Sequence, residues 1–319
     1  MYIKPSRNQW CGRVDSETDP FSYRVHQQVQ LLDLTADKKP VGNGRSFGII
    51  GFKCDEGVRR NHGRRGAAKA PEEVKRAFAK FPWHLPMDTN VFDTGDIECV
   101  GGDMEKGQAE LGKAITVLMN KGVTPIIIGG GHETFYGHYQ GVRGCLGPNA
   151  SIGIINIDAH FDMRPYEQQP SSGTMFKQIL DQDQNCGYLV AGIQQLGNTA
   201  ALFETALKYN VSFIMEEQLS SSDSSGTFKQ LEDFTANYDN IILTVCTDVI
   251  HSSFAPGVSA PSPFGLEPKK VRELIRYVVS KEKTVSFDIC EVNPDFDHDN
   301  KTIALAAHFI KEGLMHFNK

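Results

Sequence analysis

The sequence contains no run of about 18 apolar residues, so it offers no candidate for a membrane-spanning helix. Nor does it carry an excess of basic charge. Its 33 Lys and Arg stand against 39 Asp and Glu, a net charge of −6, and the electrostatic footprint of a nucleic-acid binder is missing. Its seven cysteines are odd in number, irregularly spaced and free of any CxxC pair. That excludes a zinc ribbon and a disulfide framework and fits reduced thiols in a cytoplasm. The opening MYIKPSRNQW lacks the apolar core of a secretion signal. There is no internal repeat, low-complexity tract or long linker. Neither GxGxxG nor a Walker-type lysine motif occurs, which leaves nothing to cradle a nucleotide. The one soft stretch, residues 218–227 with SSSDSSGT, reads as a surface loop.

What is present is a chain of 319 residues, 40% hydrophobic and 23% charged, long enough to bury a sizeable core. Short apolar runs alternate with amphipathic stretches. The runs at 46–51, 90–94, 124–129, 151–158, 187–193, 211–214, 240–246 and 284–289 read as strands. Several, such as IIIGG and SIGIINID, are continuously apolar, as strands buried on both faces of a parallel sheet are. Stretches 70–80, 104–121, 199–208, 226–238, 267–280 and 301–317 read as helices. The alternation predicts one doubly wound α/β domain spanning the chain, with residues 1–45 as an extension packed on it. In such folds ligands collect at the carboxyl ends of the strands.

Polar residues gather at those ends. After VTPIIIG comes Gly129-Gly130-Gly131-His132-Glu133, a tight turn that presents His132. A lone histidine there is more often structural than functional. The next segment, Asp158-Ala159-His160-Phe161-Asp162, places three ligand-type groups at alternate positions, which point to one side if the chain stays extended. Carboxylates forced together repel unless positive charge lies between them, and a divalent metal supplies it. Strand NIILTV ends in Cys246-Thr247-Asp248, again with donors at alternate positions. Segment 284–294 brings Asp288 and Glu291 to a fourth strand end, where an acid meets a cationic substrate group. The set His132, Asp158, His160, Asp162, Cys246 and Asp248 is mostly oxygen with imidazole, which favours Mn²⁺ over a structural zinc. Bridging carboxylates let such a set hold two ions about 3.5 Å apart and generate a hydroxide nucleophile near neutral pH.

These segments, GGGHE, NIDAHFD, CTD followed by SSFAPGVSAPSPFGL, and DICEVNP, resemble the signatures of the arginase/agmatinase (ureohydrolase) family over residues from about 47 to about 310. The resemblance implies a three-layer α/β fold with a central parallel eight-stranded sheet, and a Mn²⁺ pair in each subunit that hydrolyses C–N bonds of guanidines and amidines. Carried over position by position, it implies that His132, Asp158, Asp162 and the 246 position hold one metal. Asp158, His160, the 246 position and Asp248 hold the other. Glu291 faces the cationic group, and Asp162 hydrogen-bonds the nucleophile and passes a proton to the leaving nitrogen.

Within the family, Gly131 stands where arginases and agmatinases usually have Asp. Trp10-Cys11-Gly12-Arg13, the 57–64 segment GVRRNHGR and the 192–198 segment GIQQLGN resemble the branch that hydrolyses N-formimidoyl-L-glutamate in histidine degradation. Phe176 stands where arginases carry a His. The substrate's two carboxylates call for donors, for which Asn61, Arg64 and Arg164 are the candidates, with Arg59 beside them. An agmatinase or guanidino-acid hydrolase is the neighbouring alternative. One departure is Cys246, where the family has a bridging Asp. A thiolate is softer and less suited to Mn²⁺, which opens the further alternatives of a metal-poor, non-catalytic protein and of an oxidation-sensitive site with Cys11 or Cys54 as partner. The resemblance also implies a homo-oligomer with a small-molecule substrate and no organic cofactor.

Overall fold

In the computed structural model, which describes residues 1–36, 44–221 and 225–318, all eight apolar runs form strands. They are β3 (Ser46–Lys53), β4 (Asn90–Glu98), β5 (Thr124–Ile128), β6 (Ile152–Ile157), β7 (Cys186–Ile193), β8 (Ser212–Met215), β9 (Asn240–Cys246) and β10 (Thr284–Cys290). Two short strands precede them, β1 (Tyr2–Ile3) and β2 (Gln30–Leu31). The sheet runs β1-β4-β3-β5-β10-β9-β6-β7-β8, with β2 also on β4. Every pairing is parallel except that of β1 with β4. The expected parallel eight-stranded sheet is therefore present, widened by two short strands from the N-terminal segment.

Alternation along the strands sorts their side chains into two apolar layers. Ile126, Ile128, Leu243 and Val245 face one way, against Val271, Leu274 and Ile275 of helix Pro268–Val279 and Ile303 and Ile310 of helix Lys301–His316. Ile127, Ile154 and Ile242 face the other, against Leu111 and Ile115 of helix Met104–Asn120 and Phe135 and Val142 of helix Thr134–Leu146. Helices on both faces make three layers. Among the described residues no helix is long and apolar enough to cross a membrane.

The six expected helices form with shifted ends, and helices Thr134–Leu146 and Met175–Gln182 join them. Helix Thr134–Leu146 is rich in glycine, a poor helix former, which hides it from a propensity reading. Packing overrides propensity there: a Cβ at Gly141 would sit 2.7 Å from the Gly112 carbonyl oxygen of the neighbouring helix. The loop expected at 218–227 is a correction. Short helix Glu216–Ser220 and helix Ser225–Ala236 occupy its two ends, and residues 222–224 lie outside the described set. The N-terminal segment is tied to the sheet edge by more than β1. The Trp10 indole donates to Asp93 Oδ2 at 2.8 Å, and buried Lys75 bridges Asp93 and Asp96 at 2.7 and 2.8 Å.

Candidate functional site

Sheet order explains why donors distant in sequence meet. Strands β5, β10, β9 and β6 are consecutive neighbours at the centre of the sheet. Their registers align Ile128 with Ile289, Cys290 with Cys246 and Val245 with Ile157, so all four carboxyl ends finish at one level. His132 follows β5, Asp158 follows β6, Cys246 ends β9 and Glu291 follows β10.

Asp158 lies at the centre of the group. Its Oδ2 is 3.1 Å from His132 Nδ1, and its Oδ1 is 3.6 Å from His160 Nδ1. Asp162 Oδ2 approaches His132 Nδ1 at 3.0 Å, and Asp248 Oδ2 approaches His160 Nδ1 at 3.2 Å. Three donor triads occur among the described residues, His132–Asp158–Cys246, Asp158–His160–Asp248 and the buried His132–Asp288–Cys290, each with its ligand atoms within 4.8 Å of one another. The first two share Asp158. Two of the acids are held in strained backbone: Asp162 has φ 49° and Glu291 φ 67°, in the left-handed region that non-glycine residues seldom adopt. The DAHFD segment therefore turns sharply at Asp162, which still reaches His132.

Charge in the cluster is unbalanced. Burial opposes a charged His132, yet Asp158 and Asp162 outweigh it and hold the imidazole well above its usual range. His160 is raised the same way by Asp248 and Asp158 against burial. Burial also opposes the Asp158 carboxylate, but hydrogen bonds to His132 and His160 bring it below the usual range. Asp162 is raised by burial and by Asp158. Burial, followed by Asp158 and Asp248, pushes the Cys246 thiol well up, and Glu291 is driven up by burial, Glu133 and Asp248. The site is thus short of positive charge. Asp248 Oδ1 is buried with no hydrogen-bond partner, an acceptor aimed at nothing in the protein. Two divalent cations sharing Asp158 fit this donor set. They would satisfy the orphan oxygen, offset the carboxylates and draw the Cys246 proton off, since a coordinating thiol is deprotonated. Cys246 groups with His132 and Asp158 and not with His160 and Asp248.

The cluster floors a cavity of about 280 Å³. Asn61, His62, Arg164, Ser172, Ser259 and Ala260 line its upper part. A Cβ on Gly173 would stand 3.1 Å from both Arg164 Cδ and Asn61 Nδ2, so these two side chains converge over that glycine. Arg64 does not line the cavity, a correction. Its Nε donates to the Ser259 carbonyl at 3.0 Å, its Nη2 donates to that of Val258 at 2.5 Å, and its guanidinium lies 4.2 Å above the Phe296 ring. It clamps the wall that carries Ser259. Arg59 is paired with Glu56. Asp288 is likewise not in the cavity. It is fully buried beneath the site and bonds to Thr244 and His138. The cysteines are free, Cys11 exposed and Cys54 buried, and no disulfide joins either to Cys246 among the described residues.

Glu133 links the site to its wall, with Oε1 accepting from Gly57 N at 2.9 Å at the start of the segment that carries Asn61 and His62. Burial pushes this acid up to about 7. A Cβ at Gly131 would fall 2.1 Å from Glu133 Oε2 and 2.4 Å from Val58, so any side chain at position 131 would have to displace both. Phe176 packs edge-on against His132, with ring centroids 5.6 Å apart. His62, Ser172, Ser259 and Ala260 were not anticipated. The only signal for the last two is their place in the SSFAPGVSAP segment.

Comparison with known proteins shows the family and the fold. The model of the arginase family matches residues 45–316. A formimidoylglutamase of Geobacillus sp. (strain WCH70) is 56% identical over 319 residues, covering 100% of this chain and 98% of the relative. Among solved structures, formimidoylglutamase from Bacillus subtilis superposes with a TM-score of 0.78 at 24% identity, covering 85% of this chain and 87% of that one. Formiminoglutamase from Trypanosoma cruzi with Mn²⁺ gives 0.78 at 22%, covering 90% and 97%. The two structures establish a shared fold.

Proposed function

The chain belongs to the arginase family, and from that membership we propose that it hydrolyses N-formimidoyl-L-glutamate to L-glutamate and formamide, with two Mn²⁺ ions per subunit. The observation that carries the reading is the 56% identity to a formimidoylglutamase across the whole chain. Histidine degradation, a cytoplasmic location and a homo-oligomeric state belong to the same reading.

His132, Asp158, Asp162 and Cys246 would hold one ion, and Asp158, His160, Cys246 and Asp248 the other. When bound, such a pair supplies electrostatic stabilisation and a water-derived nucleophile at neutral pH. The rest is the work of the chain. In the reaction the oxygen of one water adds to the amidine carbon, the bond from that carbon to the glutamate nitrogen breaks, and the nitrogen leaves as an amine after gaining a proton. Glu291 Oε1 is held by the His132 backbone N–H at 2.9 Å. Burial raises this acid above the usual carboxylate range, and an amidinium brought beside it favours the carboxylate and an ion pair. Asp162, also raised by burial, is suited to take a proton from the attacking water and return it to the leaving nitrogen. Arg164 and Asn61 converge at the cavity wall to receive the substrate's carboxylates.

The test is a substrate panel. N-formimidoyl-L-glutamate should be turned over and agmatine, arginine and 4-guanidinobutyrate should not. Turnover of agmatine in its place would reassign the substrate. The Arg164→Ala variant should raise KM by ~10–100-fold, the worth of a charge-assisted pair, with a smaller change in kcat. An unchanged KM would remove Arg164 from carboxylate binding.

A further inference from the structure

Beneath the cavity lies a buried polar chain that the chemistry above does not use. His132 Nε2 meets Thr244 Oγ1 at 3.0 Å, and that hydroxyl donates to Asp288 Oδ1 at 2.6 Å. The other Asp288 oxygen meets His138 Nδ1 at 2.5 Å, and His138 Nε2 meets Ser286 Oγ at 2.7 Å. Thr244, Asp288, His138 and Ser286 are all fully buried. Burying a carboxyl and an imidazole inside a parallel sheet is costly unless each group is satisfied. The register explains how they meet: Thr244 on β9 is paired with Asp288 on β10, each two residues before a cysteine at its strand end and on the same face.

We propose that Thr244 and Asp288 are positioning residues that set the tautomer of His132, so that Nε2 carries the hydrogen and Nδ1 is the atom offered to a cation. This rests on the metal-centre reading given above. A threonine hydroxyl has one hydrogen. Asp288 Oδ1 receives it, and the Cys290 thiol also donates to that oxygen at 3.2 Å. Oδ1 is therefore an acceptor wherever the proton between Asp288 and His138 resides. With its hydrogen committed, Thr244 Oγ1 can only accept from His132, which places a hydrogen on Nε2. In a neutral imidazole Nδ1 then carries the lone pair. That lone pair shares its space with Asp158 Oδ2 at 3.1 Å and Asp162 Oδ2 at 3.0 Å. With Nε2 holding its own hydrogen, Nδ1, Asp158 Oδ2 and Asp162 Oδ2 converge on one point that calls for positive charge, a place that a second ring proton or a cation fills. Metal-ligating histidines commonly have the other ring nitrogen fixed in this way. Here the fixing group is a hydroxyl whose direction is set one residue further away.

The experiment compares Mn²⁺ titrations of the full-length wild type, Thr244→Val, Thr244→Ser, Asp288→Asn and the Thr244→Val/Asp288→Asn double variant. Free Mn²⁺ is followed by electron paramagnetic resonance, with thermal unfolding measured on each sample. Thr244→Val should weaken binding of one ion by ~10–100-fold, while Thr244→Ser, which keeps the hydroxyl, should bind both ions as the wild type does. Asp288→Asn should also weaken binding, and the double variant should bind no more weakly than the worse single one, because both act through one contact. A Thr244→Val protein that unfolds earlier but binds both ions with wild-type affinity would overturn the proposal, since a structural role alone moves stability and not affinity. Additive losses in the double variant would overturn it as well. A wild type that binds no Mn²⁺ would instead overturn the metal-centre reading, and the proposal with it.

Discussion

The Asp158→Asn variant is expected to lose at least ~10³-fold in turnover and to hold fewer than two ions per subunit, because one carboxylate is common to the triads His132–Asp158–Cys246 and Asp158–His160–Asp248. Asparagine is nearly isosteric, so the loss does not come from packing. Asp158 Oδ1 accepts from His160 N at 2.8 Å and Oδ2 accepts from Asn156 Nδ2 at 3.0 Å. An amide at this position turns its NH₂ toward one of those two donors whichever way it flips, and it also replaces the charge between the imidazoles. Both effects act on the same atoms. Steady-state kinetics and metal counting on one preparation check the result, with circular dichroism to show that the sheet remains folded. A variant that keeps both ions and most of its turnover would mean that Asp158 is not the shared ligand.

The largest effect on stability is expected at Lys75. Its ammonium is fully buried and donates to Asp93 Oδ1, Asp96 Oδ1 and the Gly95 carbonyl. Asp93 also takes the Trp10 indole hydrogen, so one ion cluster joins helix Ala70–Ala79, β4 and the N-terminal segment. Lys75→Met removes the cation and leaves two carboxylates facing each other, a change worth about 3–5 kcal/mol of destabilisation. Neutralising the acids as well, in a Lys75→Met/Asp93→Asn/Asp96→Asn variant, should recover much of that loss. Urea denaturation midpoints of the two variants check this. Burial alone would depress the Lys75 ammonium, but Asp96 and Asp93 outweigh it and the folded pKa is raised. The unfolded value is about 10.4. The contribution is therefore complete below that value and is lost only as pH rises through the raised folded one. The Lys75→Met penalty should stay constant between neutral and mildly alkaline pH and shrink in strong alkali. Catalysis per folded molecule should be unaffected, since the cluster lies at the β4 edge, away from the cavity.

The strands were legible because runs such as IIIGG and SIGIINID are apolar on both faces, and only a covered parallel sheet accommodates that. The donor set was legible for a related reason. Asp158, His160, Cys246 and Asp248 are polar residues placed where apolar strands stop. Helix Thr134–Leu146 was not legible, because the property that lets it pack, its glycines, is the one that lowers its propensity. Strands Tyr2–Ile3 and Gln30–Leu31 are too short to show a period.

At the site, residue type did not reveal direction. Arg64 and Arg164 look equivalent as carboxylate binders, but one guanidinium is committed to the carbonyls of Val258 and Ser259 while the other lines the cavity. Asp288 and Glu291 sit three residues apart. The turn at Glu291, with φ 67°, carries one to the cavity, while the other remains inside the strand and points below it. Thr244 and His138 gave no signal at all, since a threonine within a strand and a histidine within a helix are ordinary residues until their partners are known.

If this cluster, cysteine included, forms a working two-metal centre, activity must follow metal loading. The most direct measurement is formamide and glutamate release from N-formimidoyl-L-glutamate as Mn²⁺ is added stepwise to metal-free, reduced protein, with bound metal counted in each sample. Release should be negligible without metal and should rise to a plateau at two ions per subunit. Full release from metal-free protein, or no release with two ions bound, would contradict a working two-metal centre.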